Sequence, residues 1–209
     1  MQKQSGKDRF KNYLRKIGSG TETGRSLTRK ESADALNLLL NKIPTPAQIG
    51  AFLIAHRIKR PTAQELAGML DTYKEFGPKL QSEKNQRKAI FFGMPFDGRT
   101  RTFPLYPLTT LILLSAGQPV LLQGGGRMPI KYGVTTIELF EELGLNLQDL
   151  TIKQIQAGFI QNNFAFIYQP NHFLKAENLI PFRDEIGKRA TLASLELIWC
   201  AHEGEHFHI

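Results

Sequence analysis

The chain has 209 residues, 41% hydrophobic and 22% charged, a globular composition that excludes wholesale disorder, collagen-like repeats and a coiled coil. Its one cysteine, Cys200, excludes an internal disulfide framework and a multi-cysteine zinc site. The net charge of +8 is concentrated at one end: residues 1–30 hold nine Lys or Arg against Asp8 and Glu22, and the remainder is close to neutral, the electrostatic footprint of a polyanion partner.

Phe10, Tyr13, Leu14 and Ile17 recur at i, i+3, i+4 and i+7, which predicts an amphipathic helix over residues 8–17 with Arg9, Lys11, Arg15 and Lys16 largely on its wet side. Gly18-Ser19-Gly20 ends it. Thr28 and Glu31 have capping-box spacing ahead of a second helix reaching about Leu40. Pro44 and Pro46 break the chain before a third helix, Ala47 to Ile58, and Pro61 opens a fourth that stops near Gly77-Pro78.

Beyond a charged link at 81–88 the pattern changes. Ala89 to Phe92 and Pro119 to Leu122 are short apolar runs of the kind that form buried strands, and Phe164 to Tyr168 is a third. Helices are predicted between and after them: Pro107 to Ala116, Val134 to Leu143, Ile152 to Gln161 capped by Thr151, Leu174 to Ile186, and Thr191 to Cys200. Glu205 to Ile209 reads as the start of another strand. Strands separated by helices give a parallel sheet. The fold class is therefore α/β: a small helical domain over 1–80, then a parallel-sheet domain over 88–209, with the helix at 191–200 placed to pack back on the first.

The longest apolar stretch, Leu108 to Ala116, is far shorter than the ~20 residues that span a bilayer. The basic N-terminus has no apolar core of the ~7–15 residues a secretory signal needs. A cytoplasmic protein with no membrane partner is expected.

Leu27 to Ala33, Pro46 to Lys59 and Glu65 to Gly68 resemble the N-terminal helical domain of the anthranilate phosphoribosyltransferase family, part of glycosyltransferase family 3. The likeness continues in order through Gly117 to Val120, Glu141 to Asn146 and Pro181 to Thr191, covering about residues 9–200. It implies the nucleoside phosphorylase and phosphoribosyltransferase class of fold, a phosphoribosyl pyrophosphate and Mg²⁺ site in the interdomain cleft, and a homodimer through the helical domains. The chain is shorter than the family and is expected to be a short form or a fragment.

The resemblance fails where it bears on chemistry. The family's Gly-Thr-Gly-Gly-Asp loop, whose small residues admit pyrophosphate to backbone amides, is here Gly93-Met94-Pro95-Phe96-Asp97, followed by Gly98. The Asn-x-Ser-Thr that follows in the family is Pro104 to Pro107, and its Lys-His-Gly-Asn-Arg is Leu122 to Gly126 followed by Arg127. Arg183 matches the arginine that holds the anthranilate carboxylate in the family. These changes resemble a divergent branch that binds nucleic acid through basic surfaces.

No catalytic residue and no metal ligand set is assigned. Phosphate or ligand candidates are Gly93, Asp97, Gly98, Arg99, Arg101, Gly124, Gly125, Arg127 and Arg183, since loops at the C-terminal edge of a parallel sheet bind ligands. Gly124 to Gly126 also fits a tight turn with positive φ. Nucleic-acid candidates are Lys11, Arg15, Lys16, Arg25, Arg29 and Lys30. Phe10, Leu14 and Ile17 are the candidate dimer stripe, and Trp199 and Phe159 are core. His202, His206 and His208 have metal-like spacing at the end of the chain, where order is usually poor. Two functions follow: a catalytically degenerate protein that binds DNA or RNA backbone and needs no cofactor, or a phosphoribosyltransferase with an atypical site, which alone would require Mg²⁺.

Overall fold

The computed structural model describes residues 5–20, 22–83 and 87–209, so Lys3 and part of the charged link lie outside the described residues. Four helices open the chain: α1 Gly6–Gly18, α2 Arg29–Leu40, α3 Pro46–Lys59 and α4 Ala63–Phe76. The capping box predicted at Thr28 and Glu31 is present on α2, and the same reciprocal pairing starts α3 (Thr45, Gln48) and α4 (Thr62, Glu65). Each box satisfies amide groups that a helix start leaves without partners.

The stripe on α1 is consumed within the chain. Phe10 and Ile17 are buried, and the Phe10 ring lies 5.0 Å from that of Phe52 on α3. The wet side is drier than its pattern predicts: Arg9 forms a two-pronged pair with Asp34 at 3.0 and 3.1 Å, and Lys16 reaches Glu31 at 2.6 Å. Both cations meet a carboxylate on α2.

The second half is β1 Ala89–Phe91, α5 Tyr106–Ser115, β2 Val120–Gly124, α6 Thr136–Glu142, α7 Ile152–Asn162 and β3 Phe164–Tyr168. The predicted helix over 174–186 is instead a series of short turns, α8 Gln169–His172, α9 Leu174–Glu177 and α10 Ile180–Glu185, before α11 Leu192–Ile198 and β4 His206–His208. Pro170 and Pro181 explain the segmentation, because each sits in the first turn of a new helix, where its missing N–H costs nothing.

The four strands form one parallel sheet in the order β3-β2-β1-β4. One face carries Phe91 and Leu121 into a core shared with α1 to α4, α7 and α11; the other buries Val120 and Leu122 beneath α5 and α6. Trp199, between the rings of Tyr73 on α4 and Phe173, seats the end of α11 against the helical bundle. His56 of α3 bonds Thr191 at 3.0 Å, which ties the halves together. No helix among the described residues is long and apolar enough to cross a membrane.

Candidate functional site

The loops after β1 and β2 meet at the C-terminal edge of the sheet. Arg99 and Val134 exchange both backbone bonds at 3.1 Å, and the Gly133 amide donates to the Asp97 carbonyl at 3.0 Å. Gly98 makes this closeness possible: its φ is +75°, and a Cβ there would stand 2.5 Å from the Gly133 carbonyl oxygen.

Asp97 is buried, and its carboxylate is engaged by the protein. Arg189 clamps it through two bonds of 2.7 and 2.9 Å, while the Lys131 ammonium lies 3.6 Å away and donates to the Gly98 carbonyl. The loop amides are similarly engaged: Gly93 donates to the Ile209 carbonyl at 2.8 Å and Phe96 to the Glu196 carboxylate at 3.3 Å. Pro95 has no amide to give, and Met94 and Phe96 fill the space beneath the loop.

Side-chain cations remain available. A pocket of about 540 Å³ is lined by Pro95, Arg99, Thr100, Arg101, Thr102 and Lys131. Arg99 makes one long bond to Thr102 at 3.4 Å, and Arg101 has no ion-pair partner among the described residues. The arrangement presents two guanidinium groups to solvent, donors suited to phosphate oxygens, while the Lys131 ammonium beside them is held by Asp97 and the Gly98 carbonyl.

Several sequence candidates fall elsewhere. Arg127 is paired with Glu138 at 2.7 Å and does not line the pocket. Arg183 is wholly buried, with Nη1 donating to Glu196 and to the Met128 sulfur at 3.4 Å and with Nε and Nη2 unpartnered. Burial pushes the Glu196 carboxyl above the ordinary range despite the opposing Arg183 charge. The glycines also have different work from that expected. Gly124 and Gly125 face Phe166 and Met128, and neither they nor Gly126 has positive φ; Gly93 lies against the Leu197 carbonyl. They are small for packing, not for a turn or a phosphate.

On the N-terminal surface Lys11, Arg15, Arg25 and Lys30 are exposed and unpaired among the described residues. Lys16 is partly buried against Glu31, and Arg29 holds Asp71 through bonds of 2.6 and 2.7 Å. The histidines at the end of the chain are well placed: His202 bonds Ser82 at 2.6 Å, His206 the Gly204 carbonyl at 3.1 Å and His208 the Leu197 carbonyl at 2.7 Å. Burial pushes the Cys200 thiol up to about 12, so it is not a ready nucleophile. Lys131, Arg189 and Glu196 were missed in sequence. Their partners are tens of residues away, and the one available signal was the absence of any Asp or Glu between Asp97 and Glu138.

A model of the "Glycosyl transferase family, helical bundle domain" matches residues 11–77. The anthranilate phosphoribosyltransferase of Burkholderia mallei is 27% identical over 165 residues, which are 79% of this chain and 47% of that one. The chain is thus similar to the anthranilate phosphoribosyltransferases in sequence. It spans about half the length of the curated relatives it matches, and the Burkholderia thailandensis enzyme aligns over the same share at 26% identity. Two solved family structures have the same fold. That from Thermus thermophilus covers 93% of this chain and 56% of its own at a TM-score of 0.74 and 19% identity. The Saccharomyces cerevisiae structure, described as in complex with PRPP and Mg, gives 0.75 at 15% identity, with 93% and 56% covered.

The residues present do not fit the Mg²⁺ that the resemblance implies. Among the described residues no group of three His, Cys, Asp or Glu side chains could hold a metal ion. Asp97, in the loop after β1, already has both oxygens on Arg189.

Proposed function

We propose that this chain is a catalytically degenerate member of its family that binds phosphate-bearing polyanions, nucleic acid foremost. One observation carries the reading: the loop after β1 gives its Asp97 carboxylate and the Gly93 and Phe96 amides to the protein, and turns Arg99 and Arg101 toward a solvent-open pocket. Phosphoryl chemistry needs preorganised donors around the reacting group, whereas mobile guanidinium groups suffice to neutralise a backbone. Lys11, Arg15, Arg25 and Lys30 add a second cationic surface. Contacts of this type set register on the backbone without reading bases. The protein would act in the cytoplasm and need no cofactor.

The alternative is phosphoribosyl transfer from phosphoribosyl pyrophosphate with Mg²⁺, which the names of the relatives favour, as does the retention of Asp97 and Gly98. Titrating one preparation separately with phosphoribosyl pyrophosphate plus Mg²⁺ and with DNA across a salt series discriminates the two. DNA affinity falling steeply with salt, with no response to the pyrophosphate, is the expected result. Saturable pyrophosphate binding without DNA binding would overturn it.

A homodimer belongs to the same proposal, but through a different surface from the α1 stripe. A groove of about 770 Å³ between α1 and α3, lined by small and aliphatic residues including Gly18, Gly50, Ala51, Ile54 and Ile58, is open to solvent. Ile58 is 74% exposed there.

A further inference from the structure

Arg9, Arg29 and Arg189 each turn the Nε and Nη2 edge of the guanidinium to an aspartate and place one N–H on each carboxylate oxygen, at 2.6 to 3.1 Å. Arg183 does not. It is wholly buried, yet it reaches Glu196 through Nη1 alone, and its Nε and Nη2 have no partner. Donors left unpaired in the interior are costly, and an arginine that needed only a counter-ion would present the edge that the other three use. Stability explains this pair poorly.

Glu196 is divided in a similar way. One oxygen accepts from Arg183, and the other accepts from the Phe96 amide at 3.3 Å, in the loop after β1. Helix α11 therefore sends a carboxylate to the C-terminal edge of the parallel sheet, where open α/β sheets bind ligands. There it takes one guanidinium and one backbone N–H, the donors that hold a bound oxyanion. The surroundings are apolar: Phe96, Met128 and Ile180 form a small buried cluster, and the Met128 sulfur lies 3.4 Å from Nη1. Asp97, the next residue along the loop, is also buried. Glu196 thus adds a second carboxylate to a dry place that already has one, against both desolvation and like charge.

We propose that Glu196 is a built-in occupant of an anion site made by Arg183 and the Phe96 amide, and that it shuts this site against small carboxylates. The proposal rests on the reading above, in which the loop after β1 gives its donors to the chain's own groups, and it names the group that takes a ligand's place. Small organic acids are the class that fits, because the site offers two donors to one carboxylate and apolar walls to whatever carries it.

Removing the occupant from the 209-residue protein tests this. Glu196→Ala deletes a fragment the size of acetate, and Glu196→Ser leaves room for formate. At about 100 mM, roughly a hundred times a millimolar Kd, the matched carboxylate should raise the melting temperature of its variant by about 5 °C more than chloride does at equal ionic strength. The Phe96 amide resonance should move with the carboxylate and not with chloride, a change that general stabilisation by salt does not produce. Wild type, Glu196→Gln, which keeps the space filled, and Arg183→Met/Glu196→Ala should show neither response. If Glu196→Ala is unfolded in chloride, acetate should restore the wild-type circular dichroism spectrum, and failure of both variants to regain it would overturn the proposal. So would an equal response of wild type, a response to chloride as large as that to carboxylate, or one that survives the loss of Arg183. DNA binding by wild type, measured on the same samples, tests the polyanion reading separately, so that the failure of one is not mistaken for the failure of the other.

Discussion

Replacing Asp97 with Asn separates its structural role from any ligand role. The carboxylate is inaccessible and holds Arg189 by two short bonds, with Lys131 3.6 Å away. Asparagine keeps the shape but removes the charge and turns an NH₂ toward a donor. Breaking a buried ion pair costs about 3–5 kcal/mol. Here the Arg189 and Lys131 side chains are each about one-third exposed and can regain water, so a loss of about 2–3 kcal/mol is expected. That is a large part of the ~5–15 kcal/mol available to a domain, yet the variant should remain folded. With m of about 2–3 kcal/mol/M, the urea midpoint should fall by about 1 M. The same substitution frees Arg189 and Lys131, the second of which lines the pocket with Arg99 and Arg101. Each additional phosphate contact steepens the slope of log affinity against log salt by about 0.9 on duplex DNA, so the slope should steepen by about 1–2 and affinity should rise severalfold. Equilibrium unfolding and a DNA titration over a salt series on the same sample measure both. Unchanged or weaker DNA binding by a folded variant would refute the reasoning, and loss of phosphoribosyl pyrophosphate binding would place Asp97 in a ligand site.

Three further outcomes are expected. Glu65→Gln should cost about 3–5 kcal/mol at neutral pH. Burial works against this carboxylate, but His56, Lys59 and the Thr62 and Leu27 amides hold it well below the ordinary range. Because the folded pKa is depressed, its contribution is present above the unfolded value of about 4.3 and lost below it; the difference between wild type and variant should narrow on acidification, and a constant difference would refute this. The triple change Lys11→Gln, Arg15→Gln and Lys16→Gln should reduce the DNA salt slope by about two, not three, since Lys16 is held by Glu31 at 2.6 Å; an unchanged slope would make α1 only a solvated face. Ile54→Asp with Ile58→Asp should give a monomer by sedimentation velocity with α1 still folded, and a persisting dimer would move the interface elsewhere.

Much of the fold was legible because its signals are local. Four of the predicted helices in the second half and all four helices of the first lie near their expected positions, since period-3.6 patterns, prolines and Thr-x-x-Glu/Gln boxes act within a turn or two. The long helix expected over 174–186 failed on Pro181, whose tolerance in a first helical turn argues for a new start and not for continuation. The site was less legible. Arg99 and Arg101 were legible because they sit in the loop where the family motif would stand, whereas Arg127 and Arg183 are equally basic but meet Glu138 and Glu196, and Arg183 is wholly buried.

By itself, then, the sequence determined the helix starts and stops, the strand segments, the concentration of positive charge before residue 31 and the loss of a small-residue phosphate loop. Only the tertiary structure decided which cations are free. Whether a guanidinium meets phosphate or a carboxylate of its own chain depends on contacts across tens of residues, as between Asp97 and Arg189 or Arg29 and Asp71. It also decided that the α1 stripe is internal, because periodicity marks an apolar face and only packing supplies its cover.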